Sequence, residues 1–218
     1  MQIMKRNIEA VIFDADGTIL DTRELIYQSY RHVLKVHGYE VPDREAVFEE
    51  VRGNPADITY GKFASKHDPK QLVDIHRAFQ AEHHDLWSAY EGLHDLIQAI
   101  RDAGLKIGIC TSRGQGVVSM LKHIGVHDSF GAIVHADMVV NHKPHPEPLL
   151  KVLNELHVEP EAAVMVGDTD ADVGAGKAAG VAFTIGLTHG IGTREMLEEA
   201  GADYIIGHLN EVVPLLKL

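Results

Sequence analysis

From residue 91 onward, short apolar runs alternate with amphipathic stretches, and this alternation restricts the possible fold more than any other feature of the chain. The apolar runs fall at 105–110, 132–135, 163–166, 181–185 and 204–206. The amphipathic stretches fall at 91–103, 115–124, 146–157, 171–179, 193–200 and 211–216. In the first of these, Leu93, Leu96, Ile97 and Ile100 recur at steps of three and four, which is one face of a helix. The endings D-A-G, A-A-G and E-A-G place Gly104, Gly180 and Gly201 where a helix must stop before a strand. Strands separated by helices predict a parallel sheet covered on both faces. Ligands in such sheets bind beyond the carboxyl ends of the strands, so the polar residues that follow each strand are the candidate site.

One further apolar run precedes these. Val11-Ile12-Phe13 is stopped by Asp14, and Asp16, Gly17 and Thr18 follow at once. Two carboxylates two residues apart at the end of a buried strand raise each other's pKa, and desolvation adds to the cost. A divalent cation would relieve this, since hard cations take carboxylate and carbonyl oxygens. Alternatively one carboxyl stays protonated as an acid while the other stays ionised. After 105–110 come Thr111, Ser112, Arg113 and Gly114, a hydroxyl with exposed backbone N–H groups that suits an anion. Helix capping uses the same residue types. Next is His142-Lys143-Pro144-His145-Pro146-Glu147-Pro148, which holds a lysine between a histidine and a proline. After 163–166, Gly167-Asp168-Thr169-Asp170-Ala171-Asp172 carries more carboxylates than one helix N-terminus needs.

Between the first strand and residue 91 the chain reads as helical. The first helix spans 21–38, with Leu25, Ile26, Tyr30, Val33, Leu34 and His37 on one face. A second runs from Pro42 around Val47, Phe48 and Val51, and a third around Ile58, Tyr60 and Phe63. The fourth spans 70–87 with Leu72, Ile75, Phe79 and Leu86 inward, and no strand is expected in the stretch. The predicted organisation is an α/β core from 1–20 and 90–218 with a helical cap inserted at 21–89. Hinges are expected near Asp21-Thr22 and 88–92.

Composition narrows the function. The chain has 218 residues and a net charge of -12 from 20 basic and 32 acidic residues, which argues against nucleic acid or an anionic membrane as partner. The single cysteine, Cys110, forbids an intrachain disulfide and, inside an apolar strand, reads as a small buried hydrophobe. No segment resembles a signal peptide or approaches the ~20 apolar residues that span a bilayer, so a cytoplasmic location is expected. His83, His84 and Asp85 are adjacent, point to different helix faces and read as solvated. Gly174, Gly176 and Gly180 do not form a dinucleotide fingerprint, and no P-loop is present.

Taken in order, D-A-D-G-T at Asp14, a strand ending in Thr111, Lys143-Pro144 and G-D-x-x-x-D at Asp168 resemble the four motifs of the haloacid dehalogenase-like (HAD) superfamily. The resemblance covers essentially the whole chain, and the helical insert falls where that family carries a cap. K-P-H-P-E-P, V-G-D-T-x-x-D and the H-H-D stretch leading into Glu91-Gly92 look like its phosphoglycolate phosphatase-like group, which includes inorganic pyrophosphatases. The resemblance implies a doubly wound, Rossmann-like core with an α-helical cap. It makes Asp14 the nucleophile and Asp16 the general acid/base. Thr111 and the Ser112 amide would hold the phosphoryl group, and Lys143 would steady its charge. Mg2+ would sit on the Asp14 and Asp168 carboxylates and the Asp16 carbonyl, with Asp172 and Thr18 behind them. Arg113 and the cap's Arg52 would contact substrate; Asp170 has no counterpart. The implied reaction is Mg-dependent hydrolysis of a small phosphomonoester, phosphoglycolate-like, or of pyrophosphate, through a phospho-aspartyl intermediate. Dehalogenases and phosphonate hydrolases of the superfamily lack the second aspartate, so Asp16 argues against their chemistry. A sugar phosphomutase or a non-catalytic binding protein on the same core are the alternatives. The implied partner is a small phosphorylated metabolite, with the protein a monomer or homodimer.

Overall fold

In the computed structural model, which describes residues 7–218, the first strand, β1 (Ala10–Phe13), is the middle of the sheet rather than its edge. Residues 1–6 of the predicted core segment lie outside the described residues. After β1 the chain forms β2 (Leu20–Asp21), then α1 (Arg23–Val36), α2 (Arg44–Val51), α3 (Ala56–Phe63) and α4 (Pro69–Glu82) of the insert, and returns through β3 (Ser88–Ala89). The alternating part follows as α5 (Leu93–Asp102), β4 (Lys106–Cys110), α6 (Gly116–His123), β5 (Ala132–Val134), α7 (Glu147–Leu156) and β6 (Ala163–Gly167). It ends with α8 (Asp170–Ala179), β7 (Phe183–Leu187), α9 (Arg194–Glu199), β8 (Tyr204–Ile206) and α10 (Val212–Leu216).

The six-stranded sheet is parallel with order β5-β4-β1-β6-β7-β8, the doubly wound α/β class that the alternation predicts. Strand order reverses at β1, so the crevice at its carboxyl end is the binding position for this class. All four β1 residues are wholly buried, because both sheet faces are covered. Val11 and Phe13 join Leu93, Ile97 and Ile100 of α5 and Leu121 of α6 in one layer. Ala10 and Ile12, pointing the other way as strand alternation requires, join Leu149, Val152 and Leu153 of α7. Phe13 pairs with both Ile109 and Val166, so Asp14, Thr111 and Asp168 emerge at the same end of the sheet. The glycines of α8 serve packing. A Cβ on Gly176 would lie 2.5 Å from Thr184 Cγ2, and one on Gly174 would lie 2.7 Å from Cβ of Pro144, next to Lys143.

The insert has a core of its own, built from Ile26, Tyr30, Val33, Leu34, Val47, Tyr60, Leu72 and Val73. Three expectations for this insert need correcting. The predicted helix 70–87 stops at Glu82, and a 3-10 turn, His84–Leu86, follows. Beyond it, Ser88 and Ala89 pair antiparallel with Asp21 and Leu20, in a stretch expected to hold no strand. Strands of two residues carry no period; this ribbon exists because the two crossings into and out of the cap run side by side. Finally, Ile75 and Phe79 are only half-buried, while His76 takes the inward place, its Nδ1 2.9 Å from the Tyr60 hydroxyl. The strand expected at 181–185 begins at Phe183, because the Val181 N–H is still bonded to Gly176 O in the closing turn of α8. No helix among the described residues is long and apolar enough to cross a membrane.

Candidate active site

The sheet delivers its strand ends to one buried cluster of charge. Lys143 Nζ donates to Asp14 Oδ1 at 2.6 Å, to Asp172 Oδ1 at 2.5 Å and to Cys110 O at 3.1 Å. Three acceptors for the three protons of an ammonium leave it fully satisfied, which matters because Lys143 is only 5% exposed. Asp168 accepts from Thr18 Oγ1 at 2.9 Å and from the Ile191 N–H at 2.8 Å. Asp172 accepts from the N–H and hydroxyl of Thr169 at 3.0 and 2.6 Å, closing the capping box of α8. Thr169, not Asp170, is therefore the N-cap, and Asp170 is exposed.

The electrostatics follow from this crowding. Burial pushes the Asp14 carboxyl up to about 7; Lys143 opposes the rise, and Asp172 and Asp16 add to it. Asp168 is raised well above the carboxylate range by burial and then by Asp172 and Asp14. Burial works against the Lys143 ammonium, yet Asp14 and Asp172 outweigh it and hold its pKa above the ordinary value. Carboxylate oxygens of Asp14, Asp168 and Asp172 lie within 4.8 Å of one another, against one lysine. The backbone presses close around Asp168. A Cβ on Gly17, whose φ is +76°, would lie 2.3 Å from Asp168 Oδ2, and one on Gly190 would lie 2.0 Å from it. A hard-oxygen donor set with an excess of negative charge fits a small divalent cation such as Mg2+.

Across from this cluster a cavity of about 560 Å³ opens between core and cap, lined among others by Asp14, Asp16, Thr111, Lys143, Arg52 and Arg113. Thr111 is buried, and its hydroxyl accepts from the Arg113 N–H at 3.1 Å. The Ser112 hydroxyl donates to Gly53 O in the cap at 3.3 Å. Arg52, beside Gly53, reaches back to the core, where its Nη1 lies 2.7 Å from Met196 Sδ. Arg113 turns its Nε to both oxygens of Asp16, at 2.9 and 2.8 Å, and its Nη1 to Gln80 Oε1 of α4.

Of the residues the sequence nominated, Asp14, Asp16, Arg52, Thr111, Ser112, Arg113 and Lys143 all line the cavity. Asp168, Asp172 and Thr18 stand behind it. Asp172 binds Lys143 directly and shares the acidic cluster, a closer place than the sequence gave it. Asp16's carboxylate is not part of that cluster and faces Arg113 instead. Cys110 is buried beside Lys143, its thiol pushed up to about 12 by burial. Sequence reasoning missed Gln80, His76 and the Ile191 N–H. The signals were the Gly190 and Gly192 pair after β7, and the spacing of His76 four residues after Leu72.

Residues 11–185 match the haloacid dehalogenase-like hydrolase family, and the chain belongs to that family. It is 35% identical to a pyrophosphatase PpaX of Bacillus mycoides (strain KBAB4) over 213 residues, 96% of this chain and 97% of the relative. CbbY from Rhodobacter sphaeroides, solved in complex with phosphate, superposes with a TM-score of 0.86 at 26% identity, over 97% of this chain and 100% of that one. A predicted phosphoglycolate phosphatase from Haemophilus somnus 129PT shares the fold, with a TM-score of 0.84 at 19% identity, over 98% of this chain and 100% of that one.

Proposed function

We propose that this protein is a Mg-dependent phosphohydrolase that cleaves a small phosphorylated metabolite, with pyrophosphate the leading substrate, through a phospho-aspartyl intermediate on Asp14. The observation that carries the reading is Lys143 fixed on Asp14 Oδ1 at 2.6 Å, with Asp16 facing the same cavity. The likeness to a pyrophosphatase PpaX over nearly the whole chain favours pyrophosphate over a phosphomonoester. Residues 21–89 act as a cap that opens and closes about the ribbon of β2 and β3, admitting substrate and excluding water.

Asp14, Asp168 and the Asp16 carbonyl would hold Mg2+, which when bound supplies positive charge to the phosphoryl oxygens. Lys143 keeps Asp14 oriented and favours its ionised form, so that Asp14 Oδ2 attacks phosphorus. Thr111 and the Ser112 amide hold the phosphoryl oxygens. Asp16 gives its proton to the leaving oxygen, then takes one from the water that cleaves the acyl phosphate. Arg52 binds the second anionic group of the substrate with its guanidinium fork.

The test is phosphate release with Mg2+ or with chelator, across pyrophosphate, phosphoglycolate, hexose phosphates and nucleoside monophosphates. Mg-dependent release strongest with pyrophosphate is expected. Interconversion of sugar phosphates without phosphate release would mark a mutase instead. A second check needs no turnover. Asp14's folded pKa of about 7 lies above its ordinary 3.8, so the cation-free fold holds a proton that the unfolded chain has lost. The cation-free protein therefore loses stability as pH rises from about 4 to 7. Mg2+ should reverse this, raising the unfolding temperature by roughly 5 °C at pH 7.5 and by much less at pH 5. An equal shift at both pH values, or none at pH 7.5, would count against these carboxylates as the metal site.

A further inference from the structure

The cap reaches Asp16 through one side chain. Gln80, near the end of α4, accepts from Arg113 Nη1 at 2.5 Å, and Arg113 Nε lies 2.9 and 2.8 Å from the two oxygens of Asp16. The Arg113 side chain is 7% exposed. On the cap side the same amide is held again: Gln80 Nε2 lies 2.8 Å from His76 Nε2, and His76 Nδ1 lies 2.9 Å from the Tyr60 hydroxyl.

The direction of each hydrogen bond in this run is determined by chemistry. A guanidinium only donates, so the Gln80 atom facing Arg113 is the oxygen, and the atom facing His76 is the NH2 group. His76 Nε2 must then accept, and its ring proton sits on Nδ1, directed at the Tyr60 oxygen. Only neutral His76 fits this order. Burial, with Arg113 and Arg77 nearby, holds its pKa down at about 3. The cap and core are thus joined by one ordered run of hydrogen bonds, with Arg113 donating both ways and the Tyr60 oxygen and the Asp16 carboxylate accepting at its two ends.

Two of the five N–H donors of the Arg113 guanidinium are committed within the protein. Its Nε is engaged by Asp16 and its Nη1 by Gln80. The one Nε–H is shared between both oxygens of Asp16, which centres the charge-assisted contact on the carboxyl group. Another link between α4 and this loop is the exposed Arg77–Asp137 pair at 2.6 Å, and Asp137 also accepts from the Gln115 N–H at 2.8 Å. Exposed pairs contribute little energy, whereas the part-buried Gln80 contact joins α4 to the guanidinium that holds Asp16.

We propose that Arg113 is a positioning residue for Asp16, and that Gln80, by holding Arg113, makes the placement of Asp16 depend on α4 lying against the core. This rests on the phosphohydrolase reading above. With the cap lifted, Gln80 leaves Arg113, and the acid/base loses its fixed orientation. Proton transfer is thereby confined to the closed, water-excluding arrangement.

The experiment is a double-mutant cycle on pyrophosphate hydrolysis with Mg2+, comparing wild type, Gln80→Ala, Arg113→Ala and the double variant. General acid–base catalysis is worth about 10²- to 10⁴-fold. Disturbing the acid's placement in Gln80→Ala should lower kcat about tenfold while leaving KM within about twofold. In the Arg113→Ala background the same change should cost less than about twofold, since residues acting through one network are not additive. Gln80→Met, which keeps length and bulk without an acceptor, carries the same expectation if the alanine protein unfolds. Additive losses, or a raised KM at unchanged kcat, would overturn the proposal. Wild type that releases no phosphate from any compound of the panel would instead overturn the phosphohydrolase reading, and this proposal with it.

Discussion

The Asp14→Asn protein should fold, bind and release no phosphate. Asparagine matches the shape of aspartate and keeps an oxygen to accept from Lys143, but its neutral amide cannot attack phosphorus. Loss of a covalent nucleophile costs on the order of 10⁴-fold or more. The fold should survive because the Asp14 charge is not what stabilises it. Burial raises its pKa to about 7, so near neutral pH the ionised form is a cost to the cation-free protein. Lys143 keeps Asp172 and Cys110 O in the variant. Without divalent cation at pH 7.5, the variant's unfolding temperature should equal or exceed that of wild type. Turnover within tenfold of wild type would mean that water attacks phosphorus directly and that no acyl phosphate forms.

Lys143→Met should have the opposite balance, losing activity and stability together. Methionine fills a similar volume but leaves Asp14, Asp168 and Asp172 buried without their cation. Breaking a buried ion pair from one side costs about 3 to 5 kcal/mol, which for a chain of this size is roughly 10 °C. The pH dependence has a definite sign. Lys143's folded pKa lies above the ordinary 10.5, so its contribution is present at every pH below that and is lost only above it. What changes at low pH is the penalty on its partners. Asp14 and Asp168, both raised, take up protons on acidification and no longer need the lysine. The loss measured by calorimetry in chelator should therefore be large at pH 7.5 and markedly smaller at pH 5. A loss under about 2 °C at pH 7.5 would show that the cluster relaxes or hydrates without it.

The parts of this protein that were legible in its sequence are those specified by local period or by strand-end chemistry. An apolar run stopped by Asp14, and helices ending at Gly104, Gly180 and Gly201, carry their meaning within a few residues, and the sheet follows from their alternation. The strand-end residues were legible because a parallel sheet sends them all to one edge. What escaped depends on groups meeting across the chain. The β2–β3 ribbon joins Leu20 to Ala89, with no pattern in either segment to announce it. His76 looks like a polar interruption until Tyr60, sixteen residues earlier, supplies a partner. Arg113 reads as a substrate-facing cation beside Thr111, and only the fold shows Asp16 and Gln80 already on its guanidinium.

The central place of β1 also sets an order in time. Ala10 pairs with Lys106 and Ala163, partners 96 (106 − 10) and 153 (163 − 10) residues further along the chain. During synthesis the strand that leads into Asp14 therefore emerges before both of its neighbours and waits for them, wholly apolar. The cap cluster draws only on residues between Ile26 and Ile75, and contacts that close in sequence form early, whereas distant pairings are slow. The cap is thus expected to be folded on the nascent chain before there is an active site for it to cover. The exposed β1 run is the segment that a holding chaperone would have to protect until β6 leaves the ribosome.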